Sequence, residues 1–136
     1  MAADHTEYLV GTMPLCGALR MRAQSLDAQR VELELDWAAD LCTSNGLLHG
    51  GALMALADSA GGACALANLP ADAIGTSTIE SKTNFLGAVR GGTVRAVSRP
   101  LHVGSTTIVV ETEVRDERDR LVTKTTQTQV VLRPKP

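Results

Sequence analysis

The segment Asn45-Gly-Leu-Leu-His-Gly-Gly51 holds the residues whose types and spacing best fit a chemical role. It leads directly into the longest apolar run of the chain, which is predicted to be a helix. The first N–H groups of a helix have no partner within it and carry partial positive charge, and glycines there let a carbonyl oxygen come close. Gly50 and Gly51 therefore have the form of an oxyanion hole, a set of donors that stabilises negative charge developing on a carbonyl oxygen.

Asp58 is the acidic residue that the same helix carries. It follows Gly50 by two turns, roughly 12 Å along the axis at about 1.5 Å per residue. That is too far for a carboxylate to act on a carbonyl held at the N-terminus of its own helix. If both residues serve one site, the oxyanion donors come from a neighbouring subunit.

These residues also have ordinary structural interpretations. Asp58 can be a solvent-facing helix residue, His49 a capping or core histidine, and Gly50-Gly51 a tight turn. Periodicity alone favours those interpretations. Against them, an unpaired carboxylate on a close-packed surface is costly without a partner or a function, and Asp58 shares its helical stripe with small residues only: Gly51, Ala55, Gly62 and Ala65.

Hydrophobic periodicity predicts the elements that must position these residues. A helix from about Gly50 to Ala67 presents one apolar stripe at spacings of three and four, formed by Leu53, Leu56, Ala57, Ala60, Cys64 and Ala67. Alternation predicts strands over 18–24 and 31–36 before the helix, with a turn at 26–29, and over 76–86, 93–101, 106–115 and 121–132 after it. Gly61 and Gly62 inside a helix indicate close approach by a sheet or by a partner chain.

The balance of one helix against six strands has a consequence for assembly. One helix cannot cover both faces of such a sheet, so an edge or the second face is expected to meet another subunit.

Composition excludes several function classes. The chain has 136 residues, which favours a single domain, and a formal net charge of -2 with no basic cluster. Its only aromatic residues are Tyr8, Trp37 and Phe85, so neither base stacking nor phosphate attraction supports a nucleic-acid partner. The region 47–69 is apolar but interrupted by His49, Asp58 and glycines, which favours a buried helix over a membrane span.

Two further patterns bear on compartment and on metals. Residues 1–11 lack the basic and apolar regions of a secretory signal, which predicts a cytoplasmic protein. Cys16, Cys42 and Cys64 are odd in number, widely spaced and in no Cys-x-x-Cys arrangement. They are expected to be small buried residues, with no disulfide framework and no zinc or other metal site.

A family resemblance emerges from the stretch Gly46-Leu-Leu-His-Gly-Gly-Ala-Leu-Met-Ala-Leu-Ala-Asp58, followed by Asn84-Phe-Leu-Gly-Ala-Val-Arg-Gly-Gly92. The chain resembles the hotdog-fold acyl-CoA thioesterases of the phenylacetate-degradation type from about residue 15 to 132, within one domain predicted over 1–136. The resemblance implies an α+β hotdog fold, in which a curved antiparallel sheet of about six strands wraps a long central helix. It also implies a homodimer or a tetramer built as a dimer of dimers, with the active site at the subunit interface.

The same resemblance implies the chemistry, which is hydrolysis of an acyl- or aryl-CoA thioester with no cofactor besides the coenzyme A of the substrate. The Gly50 N–H would polarise the thioester carbonyl, with Gly51 beside it in the substrate loop and His49 shaping that loop. Asp58 would be the general base or nucleophile. Thr78 falls where relatives place a hydroxyl that can hold the attacking water.

One departure keeps a second function open. Relatives commonly carry Asn or Gln six residues before the histidine, where this chain has Thr43, and Asn45 could substitute in substrate binding only if the loop is rearranged. The alternative is therefore an acyl-CoA-binding or regulatory hotdog protein that does not hydrolyse its ligand. A hotdog dehydratase is disfavoured because His49 is better explained by its loop, and His102 is predicted to lie between strands in a structural role.

The substrate is only partly constrained. Basic residues are expected to meet the phosphates of coenzyme A, and the sequence does not rank the four that are available: Lys82, Arg90, Arg95 and Arg99. The scarcity of aromatic side chains modestly favours aliphatic over aromatic acyl groups.

Overall fold

Six antiparallel strands form one sheet in the computed structural model of the chain, which describes residues 5–136. The strand order is β1-β2-β4-β5-β6-β3, so β1 and β3 are the edges. The first four residues of the predicted domain, which belong to the segment behind the cytoplasmic prediction, lie outside the described residues. The strands are β1 (Arg22–Leu26), β2 (Val31–Asp36), β3 (Gly75–Phe85), β4 (Thr93–Val103), β5 (Thr107–Arg115) and β6 (Leu121–Leu132).

Within the described residues, three α-helices accompany the sheet: α1 (Thr6–Thr12), α2 (Pro14–Ala18) and the central α3 (Gly50–Ala67). The bounds of α3 agree with the prediction from its apolar period. The stripe is buried as predicted except at its end, where Ala67 is exposed. A long central helix against a six-stranded antiparallel sheet confirms the predicted α+β architecture.

The start of the chain differs from its prediction. The strand expected over 18–24 begins only at Arg22 and extends to Leu26, because α2 occupies residues up to Ala18 and Arg20 adopts a positive φ of 63° in the turn that follows. The apolar alternation that suggested a longer strand reflects Met21 and Ala23, which are both buried. Pro14 at the first turn of α2 is the local helix signal that alternation obscured.

β4 also runs further than predicted. It ends at Val103, so His102 lies inside this strand, paired with Val109, and not between strands. The register of β4 shifts between Pro100 and His102. An extra residue of this kind is not visible in a pattern of alternation, which explains the misplaced boundary.

The core lies between α3 and one face of the sheet. The buried residues of β2, β4 and β5 alternate along each strand, as in the pattern Val31, Leu33 and Leu35 of β2. The opposite face carries ion pairs, among them Arg22 with Glu34 and Lys124 with Glu111. In the single chain this second face is therefore polar.

α3 is the one described helix long and apolar enough to cross a membrane by length and composition. Its side chains Leu53, Leu56 and Ala60 are buried against the sheet. This is the position of a core helix in a soluble domain, and the cytoplasmic location stays a prediction.

The cysteines are free thiols. Cys16 and Cys64 are buried as predicted, whereas Cys42 is half-buried. Burial raises the pKa of both buried thiols, that of Cys64 to about 11.

Candidate active site

The N-terminus of α3 leaves one N–H group available. His49 is the N-cap, and its Nδ1 accepts a hydrogen bond from the Gly51 N–H at 2.7 Å. The N–H groups of Ala52 and Leu53 donate to the His49 carbonyl at 3.0 and 3.1 Å. Within residues 5–136, the Gly50 N–H has no such partner. The predicted donor thus differs from its neighbours, whose N–H groups are paired, and the His49 side chain contacts the backbone of this loop. The predicted roles of His49 and Gly50 at the site stay predictions.

The loop before α3 is held by its backbone. The His49 N–H donates to the Leu41 carbonyl and the Leu48 N–H to the Val89 carbonyl, both at 2.9 Å. The indole Nε1 of Trp37 donates to the Gly46 carbonyl, also at 2.9 Å. These contacts fix the direction from which the chain enters the helix.

Thr43 and Asn45 lie in this loop as exposed residues. The Thr43 N–H donates to the Leu47 carbonyl at 2.8 Å, and Asn45 adopts a left-handed conformation with φ 65°. Neither side chain forms a hydrogen bond to another predicted site residue within the part of the chain that the structure describes. Their predicted role in substrate binding therefore stays a prediction.

Phe85, the only phenylalanine of the chain, lies beside Gly50. A Cβ on Gly50 would stand 3.1 Å from Cε1 of the Phe85 ring, which is itself 51% exposed. Glycine at this position therefore keeps the backbone close to an aromatic surface at the free N–H.

Asp58 is exposed in the single chain, and one side chain contacts its carboxylate. The Thr78 hydroxyl donates to the Asp58 Oδ1 at 3.3 Å. The structure therefore brings together two of the predicted site residues from α3 and β3. The helix surface around Asp58 is open in the single chain, since Gly51 is also exposed and a Cβ on Gly62 would meet nothing within 4 Å. A partner subunit could therefore reach Asp58, as the sequence analysis requires.

A β-bulge in β3 makes that contact possible. Thr78 pairs with Gln129 and Glu80 with Thr128, so Ile79 is an extra residue with no partner in the ladder. Side chains of a regular strand alternate between faces, and Thr78 and Phe85, seven residues apart, would point to opposite sides. The bulge shifts the alternation by one, so both side chains reach α3.

Two glutamines of β6, which are not among the predicted site residues, lie behind Thr78. The Gln129 Nε2 donates to the Thr78 Oγ1 at 2.6 Å and to the Gln127 Oε1 at 2.5 Å. Gln127 is fully buried and Gln129 is 2% exposed. Their signal in the sequence is two polar residues at inward positions of an alternating strand, which is unusual for a core.

The single chain carries the site in two separate parts. Gly50 with Phe85 lies at the N-terminus of α3, and Asp58 with Thr78 lies two turns along it, at roughly 12 Å by the rise of about 1.5 Å per residue. An apolar cavity of about 310 Å³ lies elsewhere, between α1 and the C-terminal end of α3. None of the predicted site residues lines it.

The structure places the four candidate basic residues in different surroundings, and Arg99 is an exposed residue of β4. Arg95 is engaged on the outer face of the sheet, 3.6 Å from carboxylate oxygens of both Glu32 and Asp119. Lys82, in β3, donates to the Asn84 Oδ1 at 3.1 Å. Arg90 is exposed beside Val89, whose carbonyl holds the loop before α3. Among residues 5–136, no three His, Cys, Asp or Glu side chains come together as a metal site.

Comparisons with known proteins identify a family and several relatives. Residues 45–123 match the thioesterase superfamily. The 1,4-dihydroxy-2-naphthoyl-CoA hydrolase of Escherichia coli is 30% identical over 125 residues, which cover 90% of both chains. The ComA2 protein of Bacillus subtilis is 40% identical over 77 residues, which span 57% of this chain and 61% of that protein. A solved structure of a conserved protein from Pseudomonas aeruginosa superimposes with a TM-score of 0.81 at 36% identity, covering 87% of this chain and 93% of that one.

The matched segment begins at Asn45 and contains both parts of the site, from the His49-Gly50 turn to Asp58 and Thr78. The chain belongs to the thioesterase superfamily, a class of thioester hydrolases with the hotdog fold. The narrower resemblance to the phenylacetate-degradation type stays a prediction.

Proposed function

We propose that this protein hydrolyses acyl- or aryl-CoA thioesters to the free acid and coenzyme A. The observation that carries the proposal is that α3 presents two reactive groups, a free N–H at its N-terminus on Gly50 and an exposed carboxylate on Asp58. The first group suits a developing oxyanion, and the second suits activation of water. The E. coli relative is named as a CoA thioester hydrolase, which supports the same class of substrate.

In this mechanism the thioester oxygen accepts the Gly50 N–H. Asp58 takes a proton from a water molecule as the water oxygen attacks the carbonyl carbon, and negative charge moves onto the thioester oxygen. The tetrahedral intermediate then collapses with cleavage of the C–S bond, and the thiolate of coenzyme A recovers the proton from Asp58. Direct attack by the carboxylate through a mixed anhydride is the competing route. A single turnover in ¹⁸O-water tests one form of this route. Direct attack by water labels the acid, as does an anhydride opened at the acyl carbonyl, whereas an anhydride opened at the Asp58 carbon labels the enzyme carboxylate and leaves the acid unlabelled.

We infer a homo-oligomer in which Asp58 of one subunit and Gly50 of another form each site. Three observations support this inference. The two groups are too far apart within one chain, Asp58 and Gly51 of the α3 stripe are exposed, and β3 is an edge strand of 11 residues with Ile79 and Phe85 exposed. Unpaired edges with apolar side chains are templates for pairing with a second chain. The inference holds equally for a dimer and for a dimer of dimers.

The role of the Gly50 N–H is testable with a proline. Pro is favoured at the first position of a helix, and the residue before it here, His49, already has the extended conformation that proline requires (φ −62°, ψ 135°). Gly50→Pro therefore removes the N–H while retaining the helix start. Gly50→Ala is the matched variant, since it adds the same Cβ against Phe85 and keeps the donor. We expect kcat for release of free thiol to be about 10²- to 10³-fold lower in Gly50→Pro than in Gly50→Ala. Equal kcat values would contradict the oxyanion role.

The role of Asp58 and the shared site are tested together. Asp58→Asn should abolish thiol release with the oligomer intact by light scattering. When Asp58→Asn and Gly50→Pro subunits are mixed and allowed to exchange, half of the dimers become mixed and one of their two sites is intact, so about a quarter of the wild-type activity should return. If each site lies within one chain, no activity returns on mixing.

The acyl group is decided by a panel of CoA thioesters that vary in chain length and aromaticity. The preference for aliphatic groups stays a prediction, and the Phe85 ring beside Gly50 supplies apolar surface for either type. Arg90 is the candidate for a phosphate of coenzyme A, and Arg90→Gln should raise KM with little change in kcat. Tight binding of these esters without thiol release by the wild type would favour the non-hydrolytic alternative.

A further inference from the structure

A chain of hydrogen bonds leads from the interior of α3 to the Asp58 carboxylate. It begins at the Ala57 carbonyl, which accepts from the Gln127 Nε2 at 3.4 Å. It continues through Gln129 and ends at the Thr78 hydroxyl, which contacts Asp58 at 3.3 Å. Both glutamines are buried, and Thr78 is exposed.

The buried end of this series of hydrogen bonds determines which group donates and which accepts at each step. A carbonyl oxygen only accepts, so the Gln127 amide must present its NH₂ group to Ala57 and its Oε1 to Gln129. Gln129 must then donate to Gln127, and the other hydrogen of the same Nε2 points to Thr78. Because the Thr78 oxygen receives this hydrogen bond, its own proton is free for Asp58.

α3 has a matching adaptation to the Gln127 amide. A Cβ on Gly61 would stand 2.2 Å from the Gln127 Nε2 and 2.5 Å from its Cδ. Only glycine lets the amide reach the helix backbone at this point. The position of Gly61 and the orientation of Gln127 are thus linked by contact.

We propose that Gln127 and Gln129 are positioning residues, which fix the Thr78 hydroxyl as a donor to Asp58 and thereby hold one carboxylate oxygen while the other is left to react. The proposal rests on the proposed role of Asp58 in hydrolysis. Both glutamines are buried, so neither is expected to touch the substrate. Their effect is therefore expected in kcat, with KM for the CoA ester changed by less than about twofold.

Substitutions at residue 129 test the direction of the hydrogen bonds. Gln129→Met keeps the length of the side chain and removes its donor, so the Thr78 hydroxyl loses its orientation. Gln129→Glu keeps the shape but presents an acceptor, which draws the hydroxyl proton away from Asp58. We expect kcat to fall by about tenfold in Gln129→Met, which corresponds to about 1.4 kcal/mol of activation free energy. The fall should be larger in Gln129→Glu.

A second background distinguishes positioning from general damage to the fold. If Gln129 acts through the Thr78 hydroxyl, the substitutions at 129 should have no further effect on kcat in a Thr78→Val chain. Effects that multiply in full in the double variants would overturn the proposal. So would wild-type kcat in folded Gln129→Met and Gln129→Glu while Asp58→Asn is inactive. If Asp58→Asn is itself fully active, the proposed function fails.

Variants of Thr78 keep the proposal testable if buried changes at 129 prevent folding. Thr78→Ser retains the hydroxyl and should keep kcat within about twofold, whereas Thr78→Val should lower it by about tenfold. Thr83→Val is the matched control, because Thr83 is on the same strand and its hydroxyl pairs with the Thr125 hydroxyl at 2.8 Å, away from Asp58. Equal kcat in Thr78→Ser and Thr78→Val would overturn the proposal.

Discussion

Replacement of Gly61 by alanine is the sharpest test of how α3 meets the sheet. The substitution should gain up to about 1 kcal/mol because alanine is the better helix former. Against this, the new Cβ would stand 2.2 Å from the Gln127 Nε2. The Gln127 amide has to move, and it is fully buried. Overpacking costs about 1–3 kcal/mol and unpaired buried polar partners about 1–3 kcal/mol, so we expect a net loss of roughly 3 kcal/mol.

Urea unfolding at one fixed protein concentration measures this loss, because the stability of an oligomer depends on concentration. Gly11→Ala is a control with a helical glycine where a Cβ meets nothing within 4 Å, and it should be neutral or stabilising by up to about 1 kcal/mol. The decisive comparison is a Gln127→Ala background, in which Gly61→Ala should change sign and become stabilising. An equal loss in both backgrounds would refute the reasoning, since it would show that the Gln127 amide is not what the new methyl group meets.

Three further predictions concern stability and reactivity. His49→Ala should lower the free energy of unfolding by about 1 kcal/mol through loss of the cap on Gly51, and His49→Asn should retain most of it, in urea titrations; equal losses would contradict the capping role. The guanidinium of Arg22 hydrogen-bonds to Asp36 and lowers the pKa of that carboxyl. The ionised Asp36 carboxylate therefore stabilises the fold fully at pH values above its pKa in the unfolded chain, and this contribution is lost as pH falls through its lower pKa in the folded chain. The free energy of unfolding should thus fall more between pH 5 and pH 3 in the wild type than in Asp36→Asn. Cys64, with its pKa raised to about 11 by burial, should resist iodoacetamide at pH 8 until the protein is unfolded, as followed by mass spectrometry.

Local patterns were sufficient to predict much of the architecture. The bounds of α3 followed from its apolar period, and five of the six strands were found close to their observed bounds because alternation directly reflects burial on one face. The short helices α1 and α2 were not found, since five to seven residues are too few for a helical period to stand out against alternation.

The candidate site likewise depends partly on local sequence and partly on the tertiary structure. The sequence by itself determined that Gly50 begins a helix and that Asp58 follows two turns later, because both depend on contacts along one segment. Only the tertiary structure decided that Thr78 faces Asp58, since a one-residue bulge at Ile79 reverses which face each side chain of β3 takes. The link from Gln127 and Gln129 to α3 was likewise invisible in the sequence, because it joins residues that are brought together only by strand pairing and by the packing of the helix on the sheet.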